Sequence, residues 1–174
     1  MTAARPPLTG VERTFDPGDV IVTKTDPRGR ITYANRVFLR LAGYEEREVI
    51  GAPHNILRHP DMPACVFKLL WERIAGGREI FAYVNNRAKN GDHYWVFAHV
   101  TPSFDEAGAI VGYHSNRRVP RREAVARVQP LYARLLAEEG RHADHRQAVA
   151  ASTALLHDLL SRDRTTYDAF VFTL

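Results

Sequence analysis

Cysteine is almost missing from this chain. The 174 residues contain one, Cys65, which excludes a disulfide framework and a cysteine-based zinc site within one chain. Long apolar runs are missing too: none approaches the ~20 residues that a membrane-spanning helix requires. The opening Met1-Thr-Ala-Ala-Arg-Pro-Pro has no apolar centre of the kind a secretory leader carries. The expectation is a soluble, cytoplasmic protein without a membrane anchor, too short to add a kinase or a long receptor coiled coil. No glycine fingerprint for a nicotinamide dinucleotide is present, which argues against an NAD-dependent oxidoreductase. A sustained basic stripe is also absent. Net charge is +4 and pI about 9.5, but the arginines are scattered among acids, with small clusters only at Arg117-Arg118 and Arg121-Arg122. Nucleic-acid backbones are held by clustered charge, so no nucleic-acid partner is expected.

A chain of 19.7 kDa is long enough to bury a core without cross-links. Residues 1–17 lack periodicity and read as a mobile N-terminal arm, with a short helix near Val11–Phe15 as an option. Val20–Thr25 and Ile31–Ala34 read as strands joined by the turn Asp26–Arg30. Asn35 suits the N-cap of a helix that starts at Arg36 and ends at Gly43, and Glu45–Val49 suits one further turn. Residues 51–62, with two prolines and two histidines, read as irregular backbone. Pro63 suits the first position of a helix whose stripe is Val66, Phe67, Leu70, Trp71 and Ile74, stopped by Gly76-Gly77. Glu79–Arg87, His93–Phe104 and Ala109–Val119 read as three strands, with Asn90-Gly91 as a hairpin turn. After Pro120 the period becomes helical. Arg122–Glu139 and His142–Ser161 form an amphipathic hairpin, and the apolar tail Tyr167–Leu174 docks on something. The fold class is α+β: a five-stranded antiparallel sheet with helices on one face, residues 18–120 forming the main domain and 121–174 a C-terminal helical extension.

Three runs carry a resemblance: Ala34-Asn35, Pro53-His-Asn-Ile-Leu-Arg-His-Pro-Asp-Met-Pro63, and Asn86-Arg-Ala-Lys-Asn-Gly-Asp-His-Tyr-Trp95. They resemble the flavin-binding PAS domain of bacterial aerotaxis (energy-taxis) receptors, over about residues 18–135. The resemblance implies a PAS fold, a non-covalently held FAD and a sensor of redox state or oxygen that signals to a partner and is not an enzyme. The chain departs from that family at Ile80, where Trp is usual, and is expected to stand alone, without the receptors' membrane and signalling segments.

By this resemblance the cofactor-binding residues are His54, Asn55, Arg58, His59, Asp61, Trp71, Asn86, Trp95 and Arg117. Arg58 offers a planar fork to a pyrophosphate, with Asp61 orienting Arg58 or His59 or accepting a hydrogen bond itself; a plain Arg58–Asp61 ion pair holding the loop is the competing reading. Asn86 offers donor and acceptor to a flavin edge, unless it merely ends a strand. His54 stands where light-sensing flavin domains hold a reactive cysteine, so no blue-light adduct is expected; Cys65 reads as a small buried hydrophobe. Tyr113, Ser115 and Arg117 share a strand face, and Arg117 matches the glutamine that senses flavin in those relatives. Trp71 lies on the helix stripe, where core packing competes with stacking on the cofactor, and Tyr94 and Trp95 point to opposite faces. Two other readings stay open: a haem or small-ligand PAS sensor using His54, His59 or His99, and a cofactor-free dimerisation module. The Leu155, Leu156, Leu159, Leu160 patch suggests a homodimer if the chain's own sheet leaves it uncovered, and the signalling partner is unidentified. His142 and His145 read as solvated surface, with no metal.

Overall fold

The structure, a computed structural model, describes residues 5–174; the first four residues of the expected arm lie outside it. Strands β1 (Ile21–Thr25), β2 (Ile31–Ala34), β3 (Ile80–Arg87), β4 (His93–Phe104) and β5 (Ile110–Arg118) form one antiparallel sheet in the order β2-β1-β5-β4-β3. Helices α1 (Arg36–Ala42), α2 (Glu46–Val49) and α3 (Ala64–Ala75), with a 3-10 turn at His54–Leu57, connect β2 to β3. The extension forms α4 (Arg122–Glu139), α5 (His145–Arg162) and α6 (Tyr167–Thr173).

Period-two alternation sends one set of strand residues inward, toward α1–α3. Register then lines up chemistry across strands: Thr23 lies opposite Ser115, and Ala98 opposite Arg117. Asn35 caps α1 by accepting from the Phe38 amide at 3.0 Å, and its side chain also joins the backbone of β1 through Val22 N and Val20 O. One asparagine thus fixes where the first helix leaves the sheet.

Pro63 does not begin α3. Its ψ of 140° is extended, so it sits at the cap position and Ala64 is the first helical residue. Proline has no side-chain acceptor, and the free amides of the first turn are met from elsewhere: Glu139, at the end of α4, accepts from Ala64 N at 3.1 Å and Cys65 N at 3.2 Å. α4 reaches that point by crossing the outer face of the sheet. Its Tyr132 ring stacks on Trp95, centroids 6.3 Å apart, and its hydroxyl donates to the Tyr83 carbonyl at 2.8 Å. The tail docks as α6, whose Phe172 packs against Phe81 at 4.8 Å and Phe97 at 6.3 Å. α5 lies on the other side, against α3. The extension therefore wraps the exposed edge at β3 and covers part of the second sheet face. Most of the leucine patch is covered within the chain: Leu156 is buried, and Leu155 and Leu160 pack on the core.

From residue 5 onward the arm is extended and hydrogen-bonded to the sheet, not helical. Pairing between β4 and β5 starts at Phe97, which leaves the first residues of β4 open on that side. The arm fills the gap: His93 N donates to Val11 O at 3.0 Å, Arg13 N to His93 O at 2.7 Å and Thr9 N to Gly91 O at 3.1 Å. Asp92 accepts from Thr9 Oγ1 at 2.6 Å and Arg13 Nε at 2.9 Å; with Asn90 these hydrogen bonds pull its carboxyl down to about 2. Gly91 has φ 98°, and a Cβ there would collide with the Pro7 carbonyl oxygen. Gly91→Ala should therefore cost about 1–3 kcal/mol in urea denaturation and speed amide exchange at Thr9 and Arg13; unchanged exchange at both would show that the arm is not held by this turn.

Candidate functional site

Between α3 and the inner sheet face lies a cavity of about 420 Å³. Phe67, Leu70, Trp71 and Ile74 of α3 form one side, and Val84, Ala98 and Val100 of the sheet form the other. Trp71 meets Tyr113 edge-on at 5.5 Å, at the rim. His54, Asn55, Leu57 and Arg58 of the 3-10 turn and its exit close one end.

The cavity's polar groups are concentrated on one wall. Arg117 is buried, 6% exposed, and its Nη2 donates to His54 Nε2 at 2.8 Å and Thr23 Oγ1 at 3.1 Å. Both partners are neutral. Burial, helped by the charge of Arg117, pushes the His54 imidazole down to about 3, so its Nε2 is a lone-pair acceptor. Among the described residues no carboxylate pairs with Arg117, and burial lowers its own pKa to about 10. Among the described residues the second arm of its fork, Nη1, has no partner; nor do Ser115 Oγ and Asn86 Nδ2. Three buried polar atoms without partners border one cavity, and buried polar groups are nearly always satisfied. The wall is shaped for a ligand that brings acceptors.

Of the residues singled out from sequence, His54, Asn55, Arg58, Trp71, Asn86 and Arg117 border the cavity. His59 does not; it lies in an adjoining notch with Arg5, Asn55, Pro60, Arg58 and Arg87, its ring 5.6 Å from His93. Asp61 lines neither space. Its side chain is 73% exposed and 3.6 Å from His59, one of its two expected partners, while Arg58 rests over the Phe67 ring at 4.7 Å, so the competing Arg58–Asp61 ion pair does not form. Trp95 is a correction. Alternation along β4 puts it on the outer face under Tyr132, while Tyr94 takes the inner one. His99 is on that outer face too, bonded to Glu79 at 2.7 Å. Cys65 is buried but does not border the cavity.

Sequence reading missed Thr23, Ser115, His145 and Val149 as cavity residues. Thr23 and Ser115 were available from strand alternation once Arg117 was placed, because the three sit on neighbouring strands with the same facing. His145 and Val149 come from α5, and only the tertiary docking of the extension brings them there.

Residues 31–117 match the family model described as the PAS fold. The chain belongs to the PAS fold family. This PAS chain is 44% identical over 115 residues to the aerotaxis receptor of Escherichia coli (strain K12), a match that covers 66% of the chain and 22% of the receptor. It is 26% identical over 99 residues to a nitrogen fixation regulatory protein of Klebsiella pneumoniae, covering 57% of the chain and 20% of that protein. The PAS chain thus spans about a fifth of the length of these relatives. Among solved structures it resembles the dark structure of the blue-light photoreceptor Aureochrome1 LOV, with a TM-score of 0.57 and 24% identity over 63% of this chain and 80% of that one. An RNA-binding Light-Oxygen-Voltage receptor superposes with a TM-score of 0.55 and 26% identity, over 68% of this chain and 33% of that one. Among the described residues no helix is long and apolar enough to cross a membrane.

The His54 geometry sets a pH dependence. The unfolded imidazole titrates near 6.5 and the folded one near 3, so the unfolded chain takes up the proton first as pH falls. Stability is unaffected by this group above 6.5 and falls progressively below it, by about 1.4 kcal/mol per pH unit for one proton. Buried His59, also shifted down by desolvation, adds to the same slope. His54→Gln should make the fall in urea stability between about pH 6 and pH 4 shallower by close to one proton; an identical slope in the variant would mean His54 is protonated in the folded state.

Proposed function

We propose that this PAS domain binds a flavin, specifically FAD, and acts as a redox or oxygen sensor that reports the state of the cofactor to a signalling partner through conformational change, without catalysing a reaction on a diffusible substrate. One observation carries the reading: Asn86 Nδ2, Ser115 Oγ and Arg117 Nη1 stand unpartnered on the polar wall of a cavity otherwise lined by aliphatic and aromatic side chains. A flat ring with acceptors along one edge meets both demands, because the apolar faces take the ring and the donors take its edge. The similarity to an aerotaxis receptor and to light-oxygen-voltage domains supports a flavin as that ring.

When bound, a flavin supplies electron and proton uptake at the ring, which changes the hydrogen-bonding character of its edge. The chain's residues are arranged to register such a change. A guanidinium only donates, so Arg117 must share its fork between the cavity and the acceptors His54 and Thr23. Any re-pairing moves β5, and β5 runs through Val119-Pro120 straight into α4. His54 cannot form a cysteine adduct, and Cys65 lies outside the cavity, so light chemistry of that kind has no nucleophile here. Of the three histidines considered for a haem, His54 already uses Nε2 to accept from Arg117, and His59 and His99 lie outside the cavity, which disfavours each of them as an axial ligand.

FAD is favoured over a mononucleotide by the notch beside the cavity. It measures about 380 Å³, shares Asn55 and Arg58 with the cavity and adds Arg5, Arg87 and His59, a basic surface suited to the phosphates of a dinucleotide tail. The purified protein should be yellow, and the cofactor released by heat should chromatograph as FAD. FMN in its place would overturn the dinucleotide assignment. A Soret band, or protein that stays colourless after incubation with FAD, would overturn the flavin reading itself.

A further inference from the structure

The matched family segment ends at residue 117, yet one wall of the cavity is built by α5, which starts 28 residues later. His145 and Val149, on its first two turns, border the cavity alongside Lys68 of α3. Their position is not that of a loosely resting helix. Asp144 caps α5 by accepting from Gln147 N at 2.9 Å. Ala148, Ser152 and Leu156, spaced by four, form its buried stripe. Ser152 is fully buried, and its hydroxyl donates at 2.8 Å to Glu139 Oε1. That carboxylate also receives the two amides that open α3. One acidic side chain therefore pins the end of α4, the start of α3 and the second turn of α5 to a single point, and this fixes which α5 residues face the cavity.

We propose that α5 is part of the flavin site: the side chains of Val149 and His145 touch the bound cofactor, and α5 is the segment of the extension that reads the occupant directly. The inference rests on the flavin reading above and adds a binding element outside the matched PAS segment. Two physical consequences follow. Removing apolar contact at Val149 weakens retention of the cofactor, because its two methyl groups lose a partner that excludes water from them. An occupied cavity slows local opening of the first two turns of α5, because opening them breaks contacts that exist only in the bound state.

The test uses the full chain with FAD itself as the probe. The FAD release rate is measured by the return of its fluorescence for the wild type, for Val149→Ala and for Gln147→Ala, an exposed α5 position outside the cavity lining. Amide exchange over residues 145–152 is compared with and without FAD. The expected result is release about threefold to tenfold faster in Val149→Ala, unchanged release in Gln147→Ala, and slower exchange over 145–152 in the loaded protein. Release from Val149→Ala at the wild-type rate, together with identical α5 exchange in both states, overturns the inference and leaves the flavin reading standing. Failure of the wild type to bind FAD at all overturns both.

Discussion

A guanidinium buried without a carboxylate determines how the centre of this protein is built. Arg117 lies on the inner face of the sheet, and taking a charge out of water costs several kcal/mol unless something compensates. Thr23, from β1, and His54, from the 3-10 turn, answer half of its fork with lone pairs and no charge. That choice has a price elsewhere: an imidazole held neutral next to a cation is itself forced far from its ordinary titration range. The other half of the fork stays open toward the cavity, with Ser115 and Asn86 in the same condition. An apolar ligand would leave these groups unsatisfied; a ligand rich in acceptors completes them.

The same wall ties sensing to the rest of the chain. β5 holds Arg117 and continues into α4, α4 crosses the outer sheet face through Tyr132, and it ends in Glu139, which caps α3 on the far side of the cavity. The path starts at one wall of the site and returns to the opposite one. Because both ends touch the cavity, a displacement at Arg117 and a displacement of α3 act on the same helix. This is the kind of two-ended restraint from which a discrete switch is made.

Much of the fold was legible in the sequence, and the reason is periodicity. His93–Phe104 and Arg122–Glu139 have the bounds read from pattern alone, since long runs with a single period leave little room for error. The α4 bounds hold despite Pro130 inside the helix. The hairpin at Asn90-Gly91 and the cap at Asn35 were legible because each is local chemistry. What escaped were features set by particular contacts between distant segments. Pro63 yields its helical position to a cap supplied 75 residues away by Glu139. The arm, apparently featureless, is ordered by an open stretch of β4 that only the sheet pairing reveals. In the site, His54, Asn86 and Arg117 were legible from the family resemblance as cavity residues, but Trp95 faces the other side of its strand, and of the two loop partners expected for Asp61 it meets His59 and not Arg58. Motif matching identifies residues, whereas the facing of a strand decides which of them reach the cavity.

Arg117 is proposed as the group that holds the edge of the flavin, and the most direct measurement is the affinity of cofactor-free protein for FAD in the wild type and in Arg117→Met, which keeps the length and removes the donors. A charge-assisted hydrogen bond is worth about 1.5–3 kcal/mol, so the account predicts an affinity at least about tenfold weaker in the variant, with the fold intact by circular dichroism. Equal affinity in the two proteins would contradict it, because the buried guanidinium would then serve the fold and not the ligand.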